Sequence, residues 1–318
     1  MFGMSGPTFL SKTARVQAAQ LRAMKAMGIT SIRLDANWAW IQPNSPRSFF
    51  WAKLDQAVHS VLSAKMSVDL IIEGCPQWAA LHHIKNTFAQ PASARQFSIW
   101  AAEVARRYKP RGVKIFEIWN EPNDSLFFEP KANPAAYTAM LKASYRAIKA
   151  VNRSAEVISG GLAPVAPGRP PGSISTISFL KGMYAHGAHG YFDALGDHPY
   201  CFPALPNTYE SWSAWSQMYQ TAVSIRGLMK RYHDAYKKIW ITEFGAPTSG
   251  PRGISLKGQA VELTQGILDS KKISWIAAFY IYTWQDNARS NYDYWGLLTV
   301  RGKRKPAYAA VIAAIKKR

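Results

Sequence analysis

The feature that most restricts this chain is its rhythm. Short runs of β-branched and other apolar residues alternate with longer stretches of helical periodicity, from one end to the other. In the first half, residues 2–6, 30–38, 67–74 and 113–122 read as strands. Between them, 13–27, 51–66 and 92–108 repeat apolar residues at helical spacing, the first closed by Gly28 as a C-cap. In the second half, strands are expected at 156–164, 193–200, 237–246 and 276–284. Helices are expected at 133–151, near 176–188, and at 214–233, 256–270 and 306–317. Asn133 as N-cap and Pro134 at the first helical position open one of them, and Pro306 opens the last. Eight strands, each followed by a helix at a period of roughly 35–40 residues, predict a single (β/α)8 barrel spanning 1–318. A doubly wound sheet would carry a glycine-rich phosphate turn after an early strand, and none is present.

Composition narrows the class. Apolar residues make up 48% and aromatic residues 13% of the chain, ample for a packed core and too rich for a disordered one. No apolar stretch is long enough to span a bilayer. The opening MFGMSGPTF has neither a basic nor an apolar signal region, so either there is no secretion signal or the chain begins after one. Two cysteines, Cys75 and Cys201, fall on different strands and are expected to be free thiols. The net charge of +20 is carried in clusters: Arg106, Arg107, Lys109 and Arg111; Lys237 and Lys238; and the C-terminal tail, ending in Arg318. It reads either as a solvated surface or as attraction to a polyanion. Aromatic residues do not interleave with the basic ones, which argues against a nucleic-acid groove.

Function in such barrels sits at the C-terminal ends of the strands. Polar residues gather there: Arg33, Asp35 and Asn37 on the second strand, Asn120 and Glu121 on the fourth, His198 and Tyr200 on the sixth, Glu243 on the seventh. Strands four and seven lie across a barrel from each other, so Glu121 and Glu243 can converge over its mouth. Two carboxyl groups in one apolar site suit chemistry that needs one protonated and one ionised.

The stretch FEIWNEPN (116–123) resembles the strand-four motif of clan A glycoside hydrolases, and IWITEFG (239–245) resembles their strand-seven motif. Within the clan the chain looks most like family 39, particularly its bacterial exopolysaccharide-degrading members, and next like family 5. The resemblance implies a retaining glycosidase, with Glu121 as acid/base and Glu243 as nucleophile. Carboxyl groups about 5–5.5 Å apart would give retention, and about 6.5–9.5 Å inversion. It implies that Asn120 binds the sugar 2-hydroxyl and that Arg33 holds the nucleophile charged, the alternative for Arg33 being a salt bridge to Asp35. His198 would touch the acid/base or the sugar, Tyr200 would lie near the nucleophile, and Trp284 would be the stacking platform on strand eight. Trp38, Trp40 and Trp78 would form further subsites or pack the core. Glu117 should point into the barrel beside Trp119 and Glu121 as part of an internal network.

The expected substrate is an oligo- or polysaccharide, tilted toward an anionic or cell-envelope polymer by the charge. No cofactor, metal or nucleic-acid partner is called for, and a secreted or cell-envelope-associated monomer is expected. Many family 39 enzymes append a β-sandwich that has no counterpart in these residues, which leaves room for the barrel to be the catalytic part of a longer protein. A metal hydrolase would need more than the close pairs His82–His83 and His186/His189, and a serine hydrolase would need a Gly-x-Ser-x-Gly elbow, which is absent. The rival from another class is a barrel that binds glycans or an anionic surface without catalysis; a binder needs neither glutamate.

Overall fold

Short polar side chains set where the helices begin. Thr13, Ser93, Asn133, Ser175, Ser213, Ser224 and Ser255 each accept a hydrogen bond from a backbone N–H of the first turn that would otherwise lack a partner. The first helix stops at Gly28, whose φ of 97° few other residues tolerate. The computed structural model describes residues 1–6, 8–165, 171–287 and 294–317; Arg318 lies outside them.

Eight strands result: β1 (Phe2–Ser5), β2 (Ser31–Asn37), β3 (Ser67–Glu73), β4 (Ile115–Ile118), β5 (Glu156–Ser159), β6 (Ala194–Asp197), β7 (Lys238–Phe244) and β8 (Ile276–Tyr282). All neighbours pair in parallel, and β8 returns to β1, closing the barrel. The helices are α1 (Ala14–Met27), the single turn α2 (Trp38–Ile41), α3 (Ala52–Ser63), α4 (Ala94–Tyr108), α5 (Pro134–Val151), α6 (Thr176–Ala185), α7 (Ala214–Tyr219), α8 (Ile225–Arg231), α9 (Leu256–Lys272) and α10 (Pro306–Lys316). The expected helix over 214–233 is therefore two. Thr221 turns its hydroxyl onto the Val223 carbonyl, and Ser224 caps a new start.

Strand alternation divides the apolar residues between two cores. Ile32, Leu34, Leu70, Ile72, Phe116, Ile118, Ile239, Ile241, Phe279 and Ile281 face the helices in the large one. Ile158, Ala194, Trp240, Ala278 and Tyr280 fill the barrel in the small one. Above that plug the inward positions turn polar, with Arg33, Glu117 and Thr242 all buried. Both cysteines are buried free thiols, as expected.

Candidate active site

The site begins where β4 stops. Trp119 and Glu121, the first and third residues beyond Ile118, have φ values of 72° and 46°, so two-residue alternation fails there. This corrects the expected inward orientation of Trp119. Its ring packs on Phe97 and Phe128 outside the barrel, and its indole N–H donates to the Phe127 carbonyl at 2.6 Å. The turn is held by Asn123, which donates to the Ala163 and Ile174 carbonyls and accepts from the Ala163 N–H at 2.7 Å. The Glu121 N–H donates to the Gly161 carbonyl at 3.0 Å.

On the opposite wall, β7 gains a residue relative to β8 between Ile241 and Phe244. That bulge lets consecutive residues serve the site. Thr242 reaches Glu117 in the barrel, and Glu243 enters the cleft. An oxygen of Glu121, an oxygen of Glu243 and a ring nitrogen of His198 all lie within 4.8 Å of one another. The carboxylates are thus on the short side of the range that separates retention from inversion.

Arg33 organises this centre. Its Nε donates to Glu117 at 2.6 Å, one Nη to Glu243 at 2.7 Å and the other to Asn120 Oδ1 at 2.9 Å. The expected alternative, a bond to Asp35, is not what it makes. Burial opposes the guanidinium's charge, but Glu117 and Glu243 outweigh it and hold its pKa well above the ordinary value. Tyr200 donates to the other oxygen of Glu243 at 2.8 Å. Burial and then the Glu243 charge push its phenol pKa well up, so it remains a donor. Glu117 accepts in addition from the Gly161 N–H and from the Thr242 hydroxyl. It belongs to an internal network, as the sequence suggests.

His198 bridges the two halves. Its Nε2 lies 3.1 Å from the Thr242 hydroxyl and its Nδ1 2.9 Å from Glu121 Oε1. Thr242 gives its one proton to Glu117, so it can only accept from His198, and Nε2 carries a proton. The Nδ1 position then shares its proton with Glu121. Burial disfavours the imidazolium, yet Glu243 and the bond to Glu121 together raise the His198 pKa. A Cβ on Gly161 would stand 2.2 Å from His198 Nε2, so only glycine leaves room for the ring.

Two cavities meet over the carboxylates. One, of 230 Å³, is lined by Asp35, Glu73, Asn120 and Tyr282 beside Glu121 and Glu243, with Trp40 at its edge. The other, of 670 Å³, is walled by Phe127, Tyr200, Phe202, Trp212, Tyr282 and Trp295. Two expected substrate contacts lie elsewhere. Trp38 is 2% exposed, stacked on Trp100 and bonded to Gln42, and belongs to the core. Trp284 is 7% exposed and packs on Tyr308 of α10. Strand eight ends at Tyr282, and that residue, not Trp284, faces both cavities. Of the other tryptophans, Trp40 reaches the cleft while Trp78 packs edge-on to Trp38. Glu73, which ends β3 and lines the smaller cavity, carries the same signal as Glu121, a carboxylate at the end of a barrel strand.

Glu121, His198 and Glu243 are the one close trio of potential metal ligands among the described residues. Arg33 already supplies Glu243 with the positive charge a cation would bring, and each member has a protein partner. The close pairs His82–His83 and His186/His189 contribute nothing to it.

A closed (β/α)8 barrel with paired glutamates beyond β4 and on β7, set in an arginine–histidine–tyrosine frame, defines a class: the clan A glycoside hydrolases, which act with retention. Within that class the chain belongs to the cellulase family, glycosyl hydrolase family 5, whose model matches residues 1–286. The sequence motifs placed family 39 ahead of family 5, and solved structures of both kinds resemble the fold. A family 39 glycoside hydrolase from the gut symbiont Bacteroides cellulosilyticus WH2 superposes with a TM-score of 0.75 at 21% identity, over 98% of this chain and 63% of that one. GH5_18 from Streptomyces cattleya, in complex with GlcNAc, gives 0.70 at 19%, over 99% and 79%. A monomeric β-xylosidase from Caulobacter crescentus CB15 gives 0.66 at 18%, over 100% and 67%. The chain thus spans less than two thirds of the Bacteroides protein. No curated protein matches it.

Proposed function

We propose that the protein cleaves β-glycosidic bonds of an oligo- or polysaccharide by double displacement, with Glu243 as nucleophile and Glu121 as acid/base. The observation that carries this reading is the approach of the two carboxylates to within 4.8 Å. In the first step a Glu243 oxygen bonds to the anomeric carbon as the bond to the leaving oxygen breaks, and Glu121 gives that oxygen its proton. In the second, water attacks the anomeric carbon, Glu121 takes the water's proton, and the bond to Glu243 breaks. Arg33 and Tyr200, one on each oxygen of Glu243, support its role as an ionised nucleophile. His198, hydrogen-bonded to Glu121, holds that carboxyl in place as it alternates between acid and base.

Asn120, expected from the motif to bind the glycone 2-hydroxyl, lines only the smaller cavity, which supports reading it as the glycone pocket. The aromatic cavity then receives the leaving group, with Trp212, Trp295 and Tyr282 as stacking faces. A polymeric substrate fits work outside the cell or at its envelope.

The test is turnover on a panel of aryl β-glycosides and β-linked polysaccharides, alongside Glu243→Gln and Glu121→Ala. Glu243→Gln should be inert on all of them. Glu121→Ala should lose about 10²–10⁴-fold on unactivated substrates, while aryl glycosides with good leaving groups still glycosylate the enzyme. Equal loss on both kinds would reject Glu121 as the acid, and a wild-type protein inert on the whole panel would reject the enzyme.

A further inference from the structure

The charge of +20 is spread over both ends of the barrel: exposed Arg252, Arg301, Lys303 and Arg304 lie on the loops at the cleft end. The glycone pocket is lined by four carboxylates, Asp35, Glu73, Glu121 and Glu243, around one guanidinium, Arg33. In a parallel barrel every helix-to-strand junction lies at the opposite end, and a further row of exposed cations lies there. Lys25 precedes β2, Lys65 precedes β3, Lys114 precedes β4, Arg153 precedes β5, Lys238 opens β7 and Lys271 precedes β8. Of the carboxylates at this end, Asp193 pairs with Lys149 at 2.7 Å, Asp234 with Lys237 at 2.8 Å and Asp269 with Lys272 at 3.1 Å, while Glu156 opens β5 half-buried.

Helix termini explain part of this pattern. Lys25, Lys238 and Lys271 donate to backbone carbonyls at this end, where helix dipoles are negative. They do not explain Lys65, Lys114 and Arg153, three exposed side chains with no hydrogen bond or ion pair among the described residues, beneath the neighbouring strands β3, β4 and β5. Beside them is a shallow cavity of 510 Å³ lined by Tyr145, Arg146, Lys149, Arg153 and Tyr191. Its rings are covered by cations: Arg146 lies over Tyr191 at 4.6 Å and Lys149 over Tyr145 at 5.2 Å. They therefore offer no open platform for a nucleic-acid base. The large apolar groups exposed near this end are few, chiefly Met1 and Tyr236, which leaves little to enter a lipid surface.

We infer that the strand-start face beneath β3–β5 is a docking surface for an anionic polysaccharide, separate from the cleft and turned away from it. The basic face attracts such a polymer at long range and holds it by many weak, salt-screened contacts. This inference rests on the fold and the charge distribution, not on the catalytic assignment.

The experiment compares two triple variants with the same change in charge. Lys65→Glu/Lys114→Glu/Arg153→Glu alters the strand-start face. Arg15→Glu/Arg47→Glu/Arg95→Glu alters exposed arginines at the cleft end. Binding to immobilised polygalacturonate is measured at low and high salt, with dextran as the neutral control and thermal unfolding as the check on folding. Arg153→Glu alone replaces the first triple if that variant does not fold. Wild type should bind polygalacturonate and not dextran, and high salt should release it. The first triple should weaken binding about tenfold or more, the second less than twofold, with turnover of aryl glycosides unchanged in both. Equal weakening by the two triples would assign the effect to net charge and overturn the face. Equal binding to dextran, or no binding at low salt, would overturn it outright. Tighter binding to single-stranded DNA or to phosphatidylglycerol vesicles than to polygalacturonate would overturn the polysaccharide. Absence of turnover in wild type would count against the catalytic reading alone.

Discussion

Glu121 holds a left-handed backbone, which costs of order 1–3 kcal/mol for a residue with a Cβ. The bonds of Asn123 and Gly161 around it offset that cost and fix the carboxyl over the barrel mouth. Arg33 works the same way at larger scale, because Glu117 is fully buried and depends on it for charge. Arg33→Met should therefore lower unfolding free energy by about 3–5 kcal/mol, the usual consequence of stranding a buried partner, and abolish turnover. A denaturant titration showing less than about 1 kcal/mol of change would contradict the network. His198 makes a pH-dependent contribution. Its pKa is raised in the folded chain, so its stabilising effect is fully present below the ordinary imidazole value of about 6.5. It fades as pH rises through the folded value. The stability difference between wild type and His198→Gln should be larger near pH 6 than near pH 9, and a difference that grows with pH would refute the assignment.

At the level of elements, the eight strands were legible because apolar alternation marks buried ladders, and helix starts because Ser, Thr and Asn cap them. Asn133→Ala should cost about 0.5–2 kcal/mol in unfolding free energy by removing the acceptor for the Ala136 N–H; an unchanged midpoint would show that the cap carries no weight. Strand ends were less legible. The apolar pattern runs on to 122, 164 and 200, whereas the ladders end at Ile118, Ser159 and Asp197. Beyond those points the backbone leaves the sheet to aim side chains, and periodicity carries no record of a left-handed residue. The bulge that turns Glu243 inward leaves no trace in composition either. Similarly, Trp215, Met218, Ile225 and Met229 keep one apolar face going across the break between α7 and α8, so spacing alone joined them. The resemblance makes Trp284 the sugar platform and leaves Trp38 between a subsite and the core; packing on Tyr308 and Trp100 claims both for the core, and Tyr282 and Trp40 take the cleft.

For the whole molecule, the barrel separates three tasks along its axis. An apolar plug closes the lower lumen, a buried ionic network spans the middle, and a carboxylate-lined cleft opens above. Net charge was readable from composition, but which of its cations share the strand-start face was not, because that depends on which junctions the fold brings together. The central claim is that two carboxylates this close act through a covalent intermediate. Proton NMR of the first sugar released from a β-linked substrate reads it directly: the β-anomer should form first and then mutarotate. Initial release of the α-anomer would mean inversion, and would contradict the account.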